Sequence, residues 1–137
     1  MKRFLLIYIL AASFFTISCS QSGQPAEGQT EDAAIEFQTR EHDYGTIPQG
    51  GDGTYEFVFR NTGKVPLVLN NVRSSCGCTV PEWPKKPIDR GEEGIIKVSY
   101  NTRITGSFSK SISVYSNAGD KPVVLIIKGK VEETEKK

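Results

Sequence analysis

The sequence has little of what most active sites and nucleic-acid-binding surfaces are made of. It contains one histidine, one tryptophan and one methionine in 137 residues. Its 17 Lys and Arg nearly balance its 16 Asp and Glu, for a formal net charge of +1, and no basic block marks a nucleic-acid-binding surface. Neither a glycine-rich phosphate loop nor a Gly-x-Ser-x-Gly nucleophile motif occurs. These absences exclude most catalytic classes, and we expect a protein that is not an enzyme, carries no cofactor and binds no nucleic acid.

Residues 1–18 predict a signal peptide. Two basic residues precede an apolar run over residues 4–17, a pattern typical of export signals and shorter than the roughly 20 residues that span a bilayer. Cys19 follows directly and resembles the modified cysteine of a bacterial lipoprotein, although Thr16 stands where a leucine-like residue is usual. We expect Cys19 to carry lipid and to hold the protein at a cell-envelope membrane, facing the periplasm. The alternative is an ordinary secreted protein in which Cys19 is discarded or left as a free thiol.

The rest of the chain divides into a spacer, one domain and a tail. Residues 19–33 predict a flexible tether, because this polar segment cannot bury enough apolar area to offset its ordering entropy. Residues 34–132 predict one folded domain, in keeping with a chain that is 37% hydrophobic and 24% charged. Residues 133–137 form a short charged tail.

Within the domain, alternating apolar and polar side chains predict short β-strands. Residues 54–60 and 96–100 alternate with the period of two that is typical of a half-buried strand. Residues 108–114 also alternate, with Lys110 the one polar residue on the apolar face. Residues 123–127 are apolar on both faces, which predicts a central or covered strand. About seven such strands without a helical period predict an all-β fold, an antiparallel immunoglobulin-like β-sandwich.

The reactive side chains concentrate in Cys76-Gly77-Cys78, for which three interpretations remain open. The first is a local disulfide, which Gly77 would allow by a tight turn and which strain would make labile. The second is a soft-metal site of two thiolates, in which only His42 or carboxylates such as Asp43 could supply the further ligands that tetrahedral zinc needs. The third is a pair of small, partly buried thiols that pack at a strand end.

Two further features have a structural and a functional interpretation. Trp83, Pro84 and Lys85 form a candidate interaction loop, since tryptophan is frequent at interface hot spots. The favoured alternative is that Trp83 covers the core as a plug. His42 stands between two acidic residues as in a hydrolase fragment, but a lone histidine without a nucleophile motif is more often structural.

Three stretches resemble a bacterial family of domains of unknown function, number 1573 (DUF1573). They are HDYGTI at 42–47, FVFRNTG at 57–63 and SCGCTVPEW at 75–83. The resemblance implies an immunoglobulin-like sandwich, often on exported or lipid-anchored bacterial proteins, and it brings no enzymatic activity. The Asn-Thr-Gly pattern is also similar to that of Hydin-type and major-sperm-protein-type domains, which are binding modules.

Two functions from different classes follow as expectations. The first is a non-catalytic cell-envelope lipoprotein that serves as an interaction or structural module, with the membrane and an envelope protein as its partners. The second is a periplasmic thiol redox or soft-metal-handling protein that uses Cys76 and Cys78. The second function needs an exposed thiol near positive charge, for which Arg73 and Lys85 are the nearest residues in sequence.

Overall fold

The computed structural model describes residues 32–134, which form eight β-strands. The predicted signal, Cys19, nearly all of the tether and the last three residues of the chain lie outside this range. Within it, no helix is long and apolar enough to cross a membrane. The strands are β1 (Ile35–Phe37), β2 (Glu41–Pro48), β3 (Thr54–Asn61), β4 (Leu69–Ser74), β5 (Thr79–Glu82), β6 (Glu93–Tyr100), β7 (Gly106–Ser116) and β8 (Val123–Glu132).

The strands form two four-stranded sheets that pack as a sandwich. The first sheet has the order β1-β3-β6-β5, and the second has the order β2-β8-β7-β4. Every pairing is antiparallel except that of β2 with β8, which is parallel. The all-β immunoglobulin-like sandwich is therefore confirmed, with eight strands rather than about seven and with one parallel pair.

Strand β2 is one of the two strands, with β5, that the alternation of side chains failed to predict. Its pairing with β8 shifts register between Asp43 and Thr46. At the shift, Gly45 has a φ of 63°, and its N–H donates to Asp43 Oδ1 at 2.8 Å. A bulge of this kind interrupts the period of two, so the segment looked like the approach to a turn.

The predicted apolar faces form the core between the sheets. Phe57 and Phe59 of β3 are fully buried, as are Ile96 and Val98 of β6. Complete burial of such side chains contributes roughly 1.5–3 kcal/mol each. Strand β8 lies between β2 and β7, so the prediction of a central strand is confirmed. The other sheet contributes fully or nearly fully buried side chains from β7 and β8: Ile112, Val114, Leu125, Ile127 and Val131.

One end of the sandwich is held by a buried amide, and we call it the Asn61 end. Asn61 is fully buried, and its Nδ2 donates to the carbonyl oxygens of Val65 and Ile88 at 2.8 and 2.9 Å. Its Oδ1 accepts the N–H groups of Gly63 at 2.9 Å and Ala34 at 3.5 Å. The side chain is satisfied at both ends, which is how a buried polar group stabilises a fold.

Candidate functional site

The Cys-Gly-Cys segment forms the corner at which the chain crosses from one sheet to the other. We call residues 74–79 the Cys corner; it joins the end of β4 to the start of β5. Cys76 and Cys78 are joined by a disulfide with a Cα–Cα distance of 5.3 Å. Of the three interpretations of the motif, the structure contains the local disulfide. The corner lies at the opposite end of β6 from the Asn61 end, since Thr79 pairs with Tyr100 and Arg60 pairs with Glu93.

Hydrogen bonds hold the Cys corner to both sheets. The Ser74 hydroxyl donates to the carbonyl oxygen of Thr79 at 2.7 Å and also contacts that of Cys76. On the β7 side, the Ser75 N–H donates to the Ser111 carbonyl oxygen at 2.8 Å. On the β6 side, the Asn101 N–H donates to the Cys78 carbonyl oxygen at 2.8 Å. The disulfide is therefore presented on a fixed backbone rather than on a free loop.

The two sulfurs of the disulfide lie in different surroundings. Both cysteines are half-buried, but Cys78 packs against the hydrophobic core, whereas Cys76 is not part of that cluster. Thr79 Oγ1 lies 3.9 Å from Cys78 Sγ and 4.0 Å from Cys76 Sγ. Gly77 between them is exposed. The exposed residue between the two cysteines is Gly77, and of the two cysteines only Cys78 packs against the core.

Exposed apolar side chains flank the corner on its β5 and β6 sides. Val80 follows the buried Thr79 and faces outward, with 59% of its surface exposed. Ile104 is 46% exposed, and its N–H donates to the carbonyl oxygen of Asn101, the residue that binds Cys78. Single exposed apolar residues are ordinary, but these two belong to the two segments that adjoin the Cys corner, the start of β5 and the loop after β6.

The family assignment rests on the whole sandwich. Residues 35–131 match the family described as protein of unknown function (DUF1573). The chain belongs to the DUF1573 family. A comparison with curated proteins finds no match.

Solved structures similar to this DUF1573 domain show the fold alone, since each is 17% identical or less. A protein of unknown function from Porphyromonas gingivalis W83 gives a TM-score of 0.65 at 17% identity, over 72% of this chain and 46% of that one. This chain thus spans less than half of its length. The ASH/PapD-like domain 7 of human CEP192 gives 0.64 at 9% identity, over 77% and 89%. A chain of the CsuC–CsuE chaperone–tip adhesion subunit pre-assembly complex of Acinetobacter baumannii gives 0.51 at 11% identity, over 73% and 58%.

The DUF1573 domain does not bring His42 to the cysteines. His42 lies on β2, where its ring stacks on Tyr55 of the other sheet at 3.6 Å and meets the edge of Tyr44 at 4.5 Å between ring centroids. Burial lowers the pKa of His42, and Asp43 partly offsets that effect. No group of three or more His, Cys, Asp or Glu side chains within residues 32–134 could hold a metal ion. His42 instead bridges the two sheets through its ring contacts.

The Trp83 loop of the domain is folded onto the sandwich. Trp83 packs against the core, and Lys85 Nζ lies 3.0 Å from the centroid of its ring. Pro84 between them is half-buried. In the described part of the chain, Trp83 Nε1 is the one buried side-chain nitrogen or oxygen without a hydrogen-bond partner. This geometry favours the plug, and Lys85 covers one face of the indole ring.

Arg73 and Lys85, the cations nearest to the cysteines in sequence, are both exposed. Lys85 lies over Trp83, and Arg73 is beside the buried Val72, on the outer face of β4. Lys110 lies on the inner face of β7 and is half-buried, and the sequence marks it only as a polar interruption of an apolar face. Its relation to Cys76 depends on the pairing of β4 with β7, which alternation within one strand does not reveal.

Proposed function

We propose that this DUF1573 protein is a non-catalytic module of the cell envelope, tethered by lipid at Cys19, that contacts a partner protein with the Cys corner and its apolar flanks. The observation that carries the proposal is the exposure of Val80 and Ile104 in the two segments that adjoin a corner whose backbone is hydrogen-bonded to both sheets. A rigid surface with apolar anchors loses little conformational entropy when a partner binds.

We place the contact at the corner rather than at a sheet edge because each of the four edge strands is short, bulged or contains proline. Strand β1 has three residues, and β2 carries the bulge at Gly45. The pairing of β4 shifts between Leu69 and Asn71. Strand β5 has four residues and includes Pro81, which has no N–H to donate. Short, bulged and proline-containing edges disfavour the addition of a further strand, so the contact is expected to be made by side chains.

Cross-linking in intact cells tests the contact surface. A photo-reactive amino acid in place of Val80 or Ile104 is expected to give the same partner adduct from both positions. Val124 is the matched control, because it is 46% exposed on the outer face of the other sheet, and it should not give that adduct. The proposal is wrong if no adduct forms at Val80 and Ile104, or if Val124 gives the same one.

Fractionation tests the tether separately. Cys19→Ala removes the only atom that could accept lipid at this position, so the protein should move from the membrane fraction to the soluble fraction. Ser18→Ala keeps a small residue before the cysteine and should leave the protein in the membrane fraction. If Cys19→Ala also remains in the membrane fraction, the proposal of a lipid tether at Cys19 is wrong. The proposed contact surface is tested separately by the cross-links.

A second candidate function, thiol exchange with other envelope proteins, is favoured by the position of the disulfide. It lies at a corner with an exposed glycine between the cysteines, and access is one requirement of a reactive disulfide. Metal handling has less support, since residues 32–134 contain no group of three such ligands. Intact mass after alkylation, with and without prior reduction, tests the starting point: the unreduced protein should take no label on Cys76 or Cys78, and the reduced protein should take two.

A further inference from the structure

Lys110 lies on the inner face of β7, which otherwise carries buried apolar side chains. Its neighbours on that face, Phe108 and Ile112, are buried at 7% and 0% exposure, and side chains two apart on a strand share a face. Lys110 itself is half-buried. Among residues 32–134, no ion pair or hydrogen bond of its ammonium group is present. A lysine in this position normally has a counter-charge or places its ammonium at the nearest opening to water.

The register of β4 and β7 brings that lysine to the level of the Cys corner. Ser74 pairs with Ile112. One step further, the Ser75 N–H donates to the Ser111 carbonyl oxygen at 2.8 Å, and the Ser111 N–H donates to Ser75 Oγ at 3.2 Å. One residue further along the two segments are Cys76, which lies beyond the end of β4, and Lys110 on β7. The chain crosses to the other sheet after β4, so no residue of β4 pairs with Lys110.

We infer that Cys76 is the exchanging sulfur of a dithiol–disulfide site and that Lys110 is the positioning residue that stabilises its thiolate. The substrate class is the paired thiols of another exported protein. The inference rests on the second candidate function and assigns its residues. The uneven burial of the two cysteines supports the choice of Cys76, because Cys78 packs against the core and Cys76 does not.

The exchange is balanced as a two-electron transfer. The first substrate thiolate attacks Cys76 Sγ, the bond between Cys76 and Cys78 breaks, and Cys78 leaves as a thiolate that takes up a proton. The second substrate thiolate then attacks the substrate sulfur of the mixed disulfide and expels Cys76 as a thiolate. The substrate dithiol is oxidised to a disulfide and the cysteine pair is reduced to a dithiol. The ammonium of Lys110 favours the second step, since a stabilised thiolate is the better leaving group.

The test measures the reactivity of single thiols in the full chain in mild detergent, with Cys19→Ser in every variant. With Cys78→Ser, the remaining Cys76 should react with iodoacetamide at pH 7 faster than Cys78 does in the Cys76→Ser variant. Lys110→Met keeps the side-chain stem on the inner face and removes the charge, so it should slow alkylation of Cys76 by about fivefold. It should also raise the pH at which that rate is half-maximal.

Rescue and a matched control separate charge from packing. Lys110→Arg should restore the rate, and Lys85→Met, which removes a cation at the Trp83 loop, should leave it unchanged. The inference is overturned if Lys110→Met reacts like the parent, or if Cys78 is the faster thiol.

A reduced peptide with two cysteines, added to the oxidised protein, distinguishes failure of the Lys110 assignment from failure of the thiol-exchange function. Oxidation of the peptide by the parent, slowed in Lys110→Met, supports the whole inference. Equal oxidation by both removes the assignment of Lys110 alone. If the parent does not oxidise the peptide, both the second candidate function and the inference are wrong. The proposed contact surface is then still tested by the cross-links.

Discussion

The two ends of the sandwich are held together by different means. At the Asn61 end, a fully buried amide makes four hydrogen bonds to backbone groups of the surrounding loops. At the other end, the Cys corner is closed by a covalent bond between residues two apart, in a half-exposed position. The disulfide is expected to contribute less to the free energy of unfolding than the Asn61 side chain. Because it closes so short a loop, it lowers the entropy of the unfolded chain only slightly, which is worth about 1.6 kcal/mol. Removal of the Asn61 side chain would instead leave several buried N–H and C=O groups without partners.

The difference distinguishes a purely structural site from one that is available for chemistry. All four hydrogen bonds of the Asn61 side chain go to backbone groups, so Asn61 could bind a ligand only by releasing the loops that it holds. The backbone of the Cys corner is also held by hydrogen bonds of Ser74, Ser75 and Asn101, so we expect the fold to survive when the disulfide opens. A bond that the fold does not require would be available for chemistry.

The largest expected effect is at the Asn61 end. Asn61→Ala leaves buried N–H and C=O groups without partners and should lower the free energy of unfolding by about 3–5 kcal/mol in urea titrations. Asn117→Ala is the control, because the exposed Asn117 also bonds two backbone groups, the Pro66 carbonyl oxygen and the Val68 N–H; about 1 kcal/mol is expected there. Equal losses would show that burial of the Asn61 amide is not what holds this end.

Trp83 should show the next largest effect, and it tests the plug. Trp83→Ala should lower the free energy of unfolding by about 2–3 kcal/mol, since a half-buried indole leaves the core. Trp83→Phe keeps an aromatic ring against the core and removes the buried N–H, so it should lower it by less than about 1 kcal/mol. A stable Trp83→Ala protein that loses the partner adduct from Val80 would show an interaction anchor instead.

Removal of the disulfide should lower the free energy of unfolding by less than Asn61→Ala or Trp83→Ala does. Cys76→Ser with Cys78→Ser is expected to lower the free energy of unfolding by about 1–2 kcal/mol, measured by urea titration without reductant. The adduct from Val80 should survive if the corner is only a contact surface. Loss of dithiol oxidation with an intact adduct would assign the chemistry to the cysteines and the contact to their flanks.

The smallest effect is the pH dependence of the contact between the sheets at His42. Burial holds the pKa of His42 below its ordinary value of 6.5 in the folded state, so the unfolded chain binds the proton more readily. The stabilisation is complete above pH 6.5 and is lost as the pH falls from there through the lower folded value. Urea midpoints at pH 8 and pH 5 measure it, and His42→Phe should reduce the difference. An unchanged difference would place its origin elsewhere.

Strands with regular alternation could be predicted, and strands that depart from it could not. The faces of β3, β6 and β7 followed from residues that alternate over at least five positions. Strand β2 did not, because the bulge at Gly45 breaks its period. Strand β5 did not, because four residues that include Pro81 are too few for a pattern. The disulfide was one of three interpretations, since two cysteines separated by glycine can be bridged only if the backbone turns.

Local sequence was enough for the all-β class, the buried faces and the motif at which chemistry could concentrate, because side-chain periodicity and short-range spacing are properties of neighbouring residues. The tertiary structure decided which distant residues meet. It placed His42 against Tyr55 instead of the cysteines and Lys85 over Trp83, and it paired Ser74 of the Cys corner with Ile112, two residues from Lys110. Register depends on the hydrogen bonds between strands that lie far apart in sequence, so no single segment of the chain contains it.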